Sequence, residues 1–240
     1  MSTDKQRTAG VLGGMGPDAT VDFMARVIKL APASNDQDHV HMIVDHNPQV
    51  PDRQAAMRGD SAPVNAALIA MARRLETAGA DFLVMPCNTA HMFLDGIEDA
   101  VAIPLIHIID ETVREIDSAS PLAKQIGVLA TSACIEADLY QQAITRSGRN
   151  AVLLDSNAQS VLMDLIMQIK AGDRSTPVEN AMARLAGELV RQGAELIVAG
   201  CTEIPLVLQD ALCAVPVLSS TDVLARRTVA LATGKRSLPQ

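Results

Sequence analysis

The chain has few aromatic residues and no concentration of positive charge. Its 240 residues include no tryptophan, one tyrosine and three phenylalanines, and its formal net charge is −8. Lysine and arginine form no cluster, which argues against a nucleic-acid-binding surface. No apolar run reaches the length of a membrane span, and the first ten residues, MSTDKQRTAG, lack an apolar signal core. We therefore expect a cytoplasmic protein that associates with neither membranes nor nucleic acid.

Cysteine is also scarce, and its spacing is wide. The four thiols form neither a Cys-x-x-Cys pair nor a Cys/His finger pattern; they are Cys87, Cys134, Cys201 and Cys213. Structural zinc is therefore not expected, and with no secretion signal the thiols should be reduced. Four of the five histidines show no metal-ligand spacing, so no metal site is predicted.

The chain is rich in apolar residues, and its strand-like and helix-like runs alternate regularly. Nearly half of its residues are hydrophobic, at 48%. Its length suits one large or two small domains with a substantial core. Strand-like runs alternate with helix-like runs throughout, which predicts an α/β fold with largely parallel strands.

An internal duplication organises this alternation. The stretch PVNAALIAMARRLETAGADFLVMPC (63–87) resembles PVENAMARLAGELVRQGAELIVAGC (177–201) at an offset of 114 residues. Apolar residues recur at helical spacing in both copies: Val64, Leu68, Met71 and Leu75, then Val178, Met182, Leu185 and Leu189. Each copy should therefore form a helix that ends near Gly79 or Gly193, and Thr176 with Glu179 suggests a capping box.

The flanks of the duplicated stretch match as well. GVLGG (10–14) pairs with GVLAT (127–131), and IPLIHIID (103–110) pairs with VPVLSSTD (215–222). The chain is therefore predicted to form two pseudo-symmetric, parallel-sheet α/β domains. Their predicted limits are 1–115 and 116–215, with a C-terminal helix in 216–240 packing back on the first. Parallel sheets carry sites beyond the carboxyl ends of their strands, so we expect the active site in the cleft between the domains.

The glycine-rich stretch GVLGGMGPDAT (10–20) contains the G-x-G-x-x-A pattern of a dinucleotide-binding turn. The second copy has ATSA (130–133) at this place, and the next acidic residue at a strand end, Asp45, lies 29 residues beyond Gly16. A ribose ligand is expected about 20 residues on, so both differences argue against a dinucleotide. Pro17 suits a helix start, so the loop amides could face a small anion; a plain strand-to-helix turn is the alternative.

Two of the cysteines occupy equivalent positions. Cys87 and Cys201 each end a buried strand and precede a polar, helix-starting step, CNTAH or CTEIP. A helix N-terminus stabilises negative charge, so the pKa of each thiol is expected to fall toward neutrality. One thiolate could then remove a proton from a carbon while the other thiol protonates its opposite face, without a cofactor. Cys134 and Cys213 are interpreted as small buried hydrophobes.

These motifs resemble the cofactor-independent aspartate/glutamate racemase superfamily, and within it the aspartate racemase branch. The resemblance spans nearly the whole chain and rests on GVLGGMGPDAT, NPQVPDR (47–53), MPCNTAH (85–91), KAGD (170–173) and AGCTEIPL (199–206). It implies two pseudo-symmetric α/β domains, a homodimer, no cofactor, and racemisation of an amino acid by two cysteines.

The resemblance also implies roles for individual residues. Cys87 and Cys201 match the two catalytic acid/base thiols, Arg53 matches a carboxylate-binding arginine, and Lys170 matches a second basic residue. Arginine can bind one carboxylate with two parallel hydrogen bonds. The remaining positions implied to bind substrate are Met15, Gly16, Asn47, Asn88, Thr89, Ala90, Thr202 and Glu203.

The choice of substrate rests on two departures from glutamate racemases, which typically carry Asp-Ser-Gly after the first strand and a histidine after the second GCT. This chain has Gly13-Gly14-Met15 and Glu203 there, so aspartate is the expected substrate. The alternatives are a racemase of glutamate or other amino acids, an isomerase or decarboxylase of a related acid, and a non-catalytic amino-acid-binding module. Glu203 either helps set the protonation of Cys201 or caps its own helix. His91 either tunes Cys87 or packs beneath the site.

Overall fold

The structure is a computed structural model that describes residues 6–208 and 212–239. The described residues form two compact units. One comprises residues 6–108 and 222–239, and the other comprises residues 109–208 and 212–221.

The first unit is built on a four-stranded parallel sheet. Its strands are β1 (Ala9–Gly13), β2 (Met42–His46), β3 (Phe82–Val84) and β4 (Leu105–Ile106). They lie in the order β2-β1-β3-β4. The helices between them are α1 (Pro17–Leu30), α2 (Arg53–Arg58), α3 (Ala62–Thr77) and α4 (Leu94–Glu98). Short 3₁₀ turns cover Asp36–Asp38 and Thr89–Phe93.

The second unit repeats this plan. It begins within α5 (Ile108–Ala119) and continues with β5 (Gln125–Leu129), α6 (Ser132–Glu136), α7 (Leu139–Arg146), β6 (Asn150–Val152), α8 (Ser156–Lys170), α9 (Thr176–Arg191), β7 (Leu196–Ala199) and β8 (Val217–Ser219). The sheet order is β6-β5-β7-β8, and every pairing is parallel. The last helix, α10 (Ser220–Ala232), belongs to the first unit from residue 222 onward.

The two sheets confirm the predicted α/β fold and its duplication. Helices α3 and α9 begin and end at the predicted offset of 114 residues. The eight apolar residues that recur at helical spacing are all buried. Gly79 and Gly193 follow these helices with φ of +98°, a conformation that glycine adopts without steric cost.

The predicted capping box is wrong. Helix α9 begins at Thr176 itself, and Ser175 occupies the N-cap position without a side-chain cap bond. Proline in the first turn supports this start, because its missing N–H and fixed φ suit that position. Across the described part of the chain, no helix combines the length and apolar character required to cross a membrane.

Candidate active site

The loops after β1 and β2 are packed tightly against each other. Gly14 has φ of +93°, and a Cβ there would lie 2.4 Å from the carbonyl carbon of Asn47. The Asn47 N–H donates to the Gly13 carbonyl at 3.2 Å, and the Asn47 Oδ1 accepts from the Gln49 N–H at 3.0 Å. Only glycine fits at position 14, for both conformational and steric reasons.

The amides of the glycine loop differ in their hydrogen bonds. The Gly14 N–H donates to Thr20 Oγ1 at 2.8 Å, and that hydroxyl donates to the Gly16 carbonyl at 3.0 Å. The Gly14 N–H is therefore already hydrogen-bonded inside the unit, and the expectation that it faces an anion is wrong. The N–H groups of Met15 and Gly16 donate to no acceptor among residues 6–208 and 212–239. Thr20 organises this loop, and no motif in the sequence indicates that role.

Arg53 is held in place at the start of α2. Asp52 caps that helix by accepting from the N–H groups of Gln54 and Ala55. The Arg53 Nη1 donates to the carbonyls of Val50 and Pro51, each at 2.9 Å. Its Nε and Nη2 make no hydrogen bond with a described residue. The N–H groups of these two nitrogens lie along one edge of the planar guanidinium. That edge can bind a carboxylate with two parallel hydrogen bonds.

Cys87 lies just beyond β3 and is 5% exposed. It belongs to the same hydrophobic cluster as Met15, Val50 and Ala90. The first unit therefore brings the loops after β1, β2 and β3 together at the carboxyl ends of its strands. Asn88 and Thr89 are also buried there.

His91 is buried beneath this loop, and both of its ring nitrogens are hydrogen-bonded to main-chain atoms. Nδ1 lies 2.8 Å from the Cys87 carbonyl, and Nε2 accepts from the Ile108 N–H at 3.2 Å. The carbonyl can only accept, so the ring is the neutral tautomer with its proton on Nδ1. Burial, aided by nearby His107, lowers the pKa of His91 to about 3. Of the two roles considered for His91, the structure favours packing beneath the site.

The second unit groups the other predicted residues around one carboxylate. The Cys201 thiol donates to Glu203 Oε2 at 3.0 Å, and the Thr202 hydroxyl donates to the same oxygen at 3.4 Å. Lys170, the last residue of α8, places Nζ 3.9 Å from Glu203 Oε1. Glu203 is 3% exposed, and its Oε1 accepts no hydrogen bond from a described residue.

The predicted fall in thiol pKa is wrong for Cys201. Burial raises the pKa of Cys201 well above its ordinary value, the negative charge of Glu203 raises it further, and Lys170 opposes both. The helical segment after Cys201 is a single 3₁₀ turn, Ile204–Leu206, too short for the helix-terminus effect on which the prediction relied. Cys201 is therefore a thiol at neutral pH.

Each unit thus assembles its own set of predicted residues. The set in the first unit is Met15, Gly16, Asn47, Arg53, Cys87, Asn88, Thr89 and Ala90, and the set in the second is Lys170, Cys201, Thr202 and Glu203. Cys134 is buried and Cys213 is partly buried, in keeping with their interpretation as hydrophobes. In the described segments, no group of three or more His, Cys, Asp or Glu side chains could hold a metal ion.

Residues 12–228 match the family described as Asp/Glu/Hydantoin racemase. The broad specificity amino-acid racemase RacX of Bacillus subtilis (strain 168) is 34% identical over 226 residues, which cover 92% of this chain and 96% of that protein. A glutamate racemase of Desulforudis audaxviator (strain MP104C) is 28% identical over 131 residues, or 54% of this chain and 46% of that protein. Among solved structures, the aspartate racemase of Picrophilus torridus superposes with a TM-score of 0.83 at 26% identity, covering 97% of this chain and 96% of that chain.

Proposed function

This chain belongs to the Asp/Glu/hydantoin racemase family and is an amino-acid racemase, and from that premise we propose that it interconverts L- and D-aspartate with two cysteines and no cofactor. The observation that carries the proposal is the equivalence of two buried thiols. Cys87 follows β3 and Cys201 follows β7. The two cysteines are related by the same offset of 114 residues as α3 and α9, and the two units have the same sheet topology.

In this mechanism both thiols act on one α-carbon. A thiolate removes the α-proton from one face, the second thiol protonates the opposite face, and the two exchange roles in the reverse direction. The configuration inverts, and one proton enters as one leaves. The α-proton is weakly acidic, so positioned donors must stabilise the charge that develops on the substrate.

Glu203 supplies the proton acceptor that Cys201 needs. The raised pKa of Cys201 makes it the proton donor at rest. To act as a base on the other enantiomer, Cys201 passes its proton from Sγ to Glu203 Oε2, along a hydrogen bond of 3.0 Å. Cys87 takes up a proton from solvent in exchange and becomes the donor on the opposite face. The nearby ammonium of Lys170 offsets the negative charge of the pair.

Substrate binding is assigned to the remaining predicted groups. A dicarboxylate approaching a chain of net charge −8 needs local cations, which Arg53 and Lys170 provide. The Nε and Nη2 groups of Arg53 suit one carboxylate. The amides of Met15 and Gly16 suit a small anion, with Asn47, Asn88, Thr89, Ala90 and Thr202 completing the site. The homodimer expected from the sequence stays a prediction.

A broader substrate range is the second candidate, favoured by the 34% identity to a broad specificity racemase. The test is kcat/KM for aspartate, glutamate and alanine in both directions, with racemisation followed by optical rotation. One methylene in a pocket is discriminated by about 10–200-fold, so we expect aspartate to exceed glutamate within that range. Alanine should be poor because it leaves a cation unpaired. Equal efficiencies would establish the broad range, and no turnover of any of the three would contradict the proposal.

A further inference from the structure

Tyr140, the single tyrosine of the chain, lies on α7 and is completely buried. Its ring packs against Gly200, the residue immediately before Cys201. A Cβ at Gly200 would lie 2.5 Å from Tyr140 Cε2 and 3.0 Å from Cζ. Real side chains do not approach this closely, and a rigid, enclosed ring cannot swing away. The ring therefore fixes the path of the backbone that leads into Cys201.

The hydroxyl of Tyr140 reaches the same stretch of backbone by a second route. It is hydrogen-bonded with Thr112 and Ser220. The Ser220 hydroxyl gives its single hydrogen to the Ala199 carbonyl at 2.9 Å, so the phenol is the donor to Ser220. Burial raises the pKa of Tyr140 far above its ordinary value, so this donor keeps its proton throughout the usable pH range.

The backbone between Ala199 and Cys201 is thus restrained from several sides. Besides the bond to the Ala199 carbonyl, the Gly200 N–H donates to the Leu129 carbonyl at 2.7 Å. A thiol attached to this stretch has little freedom to move away from Glu203 Oε2. Its hydrogen bond with that oxygen is the one on which proton transfer at Cys201 depends.

The equivalent positions of the first unit carry no hydroxyl. The offset of 112 residues, which also relates the starts of α5 and α10, places Ile108 and Leu224 at the positions of Ser220 and Thr112. Both are fully buried. The duplicated fold therefore does not need polar groups there for packing alone, and the hydroxyl network belongs to the unit that contains Cys201.

We propose that Tyr140 is a positioning residue for Cys201: its ring sets the backbone at Gly200, and its hydroxyl holds Ala199 through Ser220. The proposal rests on the proposed function in that it assigns Cys201 a catalytic role. Tyr140 itself stays outside the reaction.

The test uses substitutions that separate the ring from the hydroxyl. Tyr140→Phe keeps the ring and removes the hydroxyl, whereas Gly200→Ala drives a methyl group into the ring. Adding Tyr140→Leu to Gly200→Ala removes the atoms nearest that methyl group. Gly187→Ala on α9 is the matched control, because a Cβ there meets only the flexible end of Arg191, at 3.7 Å.

For racemisation, we expect Gly200→Ala to lower kcat about 100-fold and Tyr140→Phe about fivefold, with KM nearly unchanged. The double variant should recover part of the activity lost in Gly200→Ala. The Gly187→Ala control should behave as the wild type does. Unchanged kcat in both Tyr140→Phe and Gly200→Ala, or a double variant no better than Gly200→Ala, would overturn the proposal.

A second measurement does not depend on turnover. The rate of iodoacetamide alkylation at Cys201 and Cys87 is followed by peptide mass spectrometry in each folded variant. We expect the Cys201 rate to change by about threefold or more in Tyr140→Phe and Gly200→Ala, while the Cys87 rate stays constant. Equal rates at Cys201 in all variants would reject a positioning role. If the wild type showed no racemisation, this measurement would still decide the role of Tyr140, and only the proposed function would fail.

Discussion

The two units share their sheet order, and their equivalent helices α3 and α9 have the same length, but they surround their thiols differently. Below Cys87 lies a neutral histidine, His91, whose ring is hydrogen-bonded to main-chain atoms. Beside Cys201 lies a buried carboxylate, Glu203, which accepts a hydrogen bond from the thiol itself. The fold places each thiol at the carboxyl end of an equivalent strand, and the side chains near each thiol differ in charge.

The difference can be traced to single positions of the duplication. At the offset of 114 residues, Thr89 is the equivalent of Glu203, and Pro205 is the equivalent of His91. The buried carboxylate and the buried imidazole therefore each occur in one copy only. A racemase that works in both directions needs a proton donor and a proton acceptor at once, and such asymmetry is one way to provide them.

Loss of either thiol should have the largest effect and would test whether both units contribute. Cys87→Ala and Cys201→Ala should each lower racemisation by about 10³-fold or more, because each removes the proton carrier on one face. Cys87→Ser and Cys201→Ser should fail as well, since a hydroxyl is a far weaker acid than a thiol. Near-normal turnover in either alanine variant, measured by loss of optical rotation, would break the two-base mechanism.

The next largest effect concerns the cations of the two units. Arg53→Ala should lose roughly 2–5 kcal/mol of transition-state binding, because a substrate carboxylate is left without its paired donors. Arg53→Lys should rescue little, since a point charge cannot replace the two-donor edge. Lys170→Ala should cost less, because a lysine supplies a point charge and not two parallel hydrogen bonds. Unchanged kcat/KM in both Arg53 variants would make Arg53 a structural residue of its loop.

The sequence predicts those parts of the molecule that depend on repeated pattern. Helices α3 and α9 follow from their apolar spacing, and the glycines that end them follow from the need for positive φ. Their match across the duplication also predicts two similar parallel sheets.

The sequence does not predict what depends on burial and side-chain direction. The CTEIP motif indicates that Glu203 can influence the protonation of Cys201, but it shows neither the shortness of the helical turn nor the burial of the thiol, so the direction of the pKa shift is not predicted. The roles of Thr20 and Tyr140 do not follow from the sequence, because their partners are distant in sequence or are backbone atoms.

Removing the charge of Glu203 should lower activity less than the cysteine and Arg53 variants do. It tests the main difference between the two thiols, which is the carboxylate beside Cys201. Glu203→Gln keeps the shape but cannot take a proton, so we expect kcat to fall about 100-fold. Because Glu203 raises the pKa of Cys201, its removal should move the pH profile of Cys201 alkylation to lower pH. Lys170, which faces the same pair, strengthens this shift once it is unopposed. Thr89→Val is the matched change in the first unit and should leave the Cys201 profile in place; an unmoved profile in Glu203→Gln would refute the assigned role.

The smallest effect concerns His91 and the stability of the first unit rather than its chemistry. The folded state holds His91 neutral with a pKa of about 3, whereas an unfolded histidine takes up a proton near its ordinary pKa. The unfolded state therefore binds more protons as the pH falls below about 6.5, so this contribution to stability is complete above that pH and is lost progressively below it. From pH 7 to pH 5 the wild type should lose about 2 kcal/mol in free energy of unfolding through this residue, measured by urea denaturation. His91→Gln offers an amide donor and acceptor but does not titrate, so its stability should fall less over the same interval. Parallel pH curves for the two proteins would show that His91 is accessible to protons in the folded chain and would remove the contrast with Glu203.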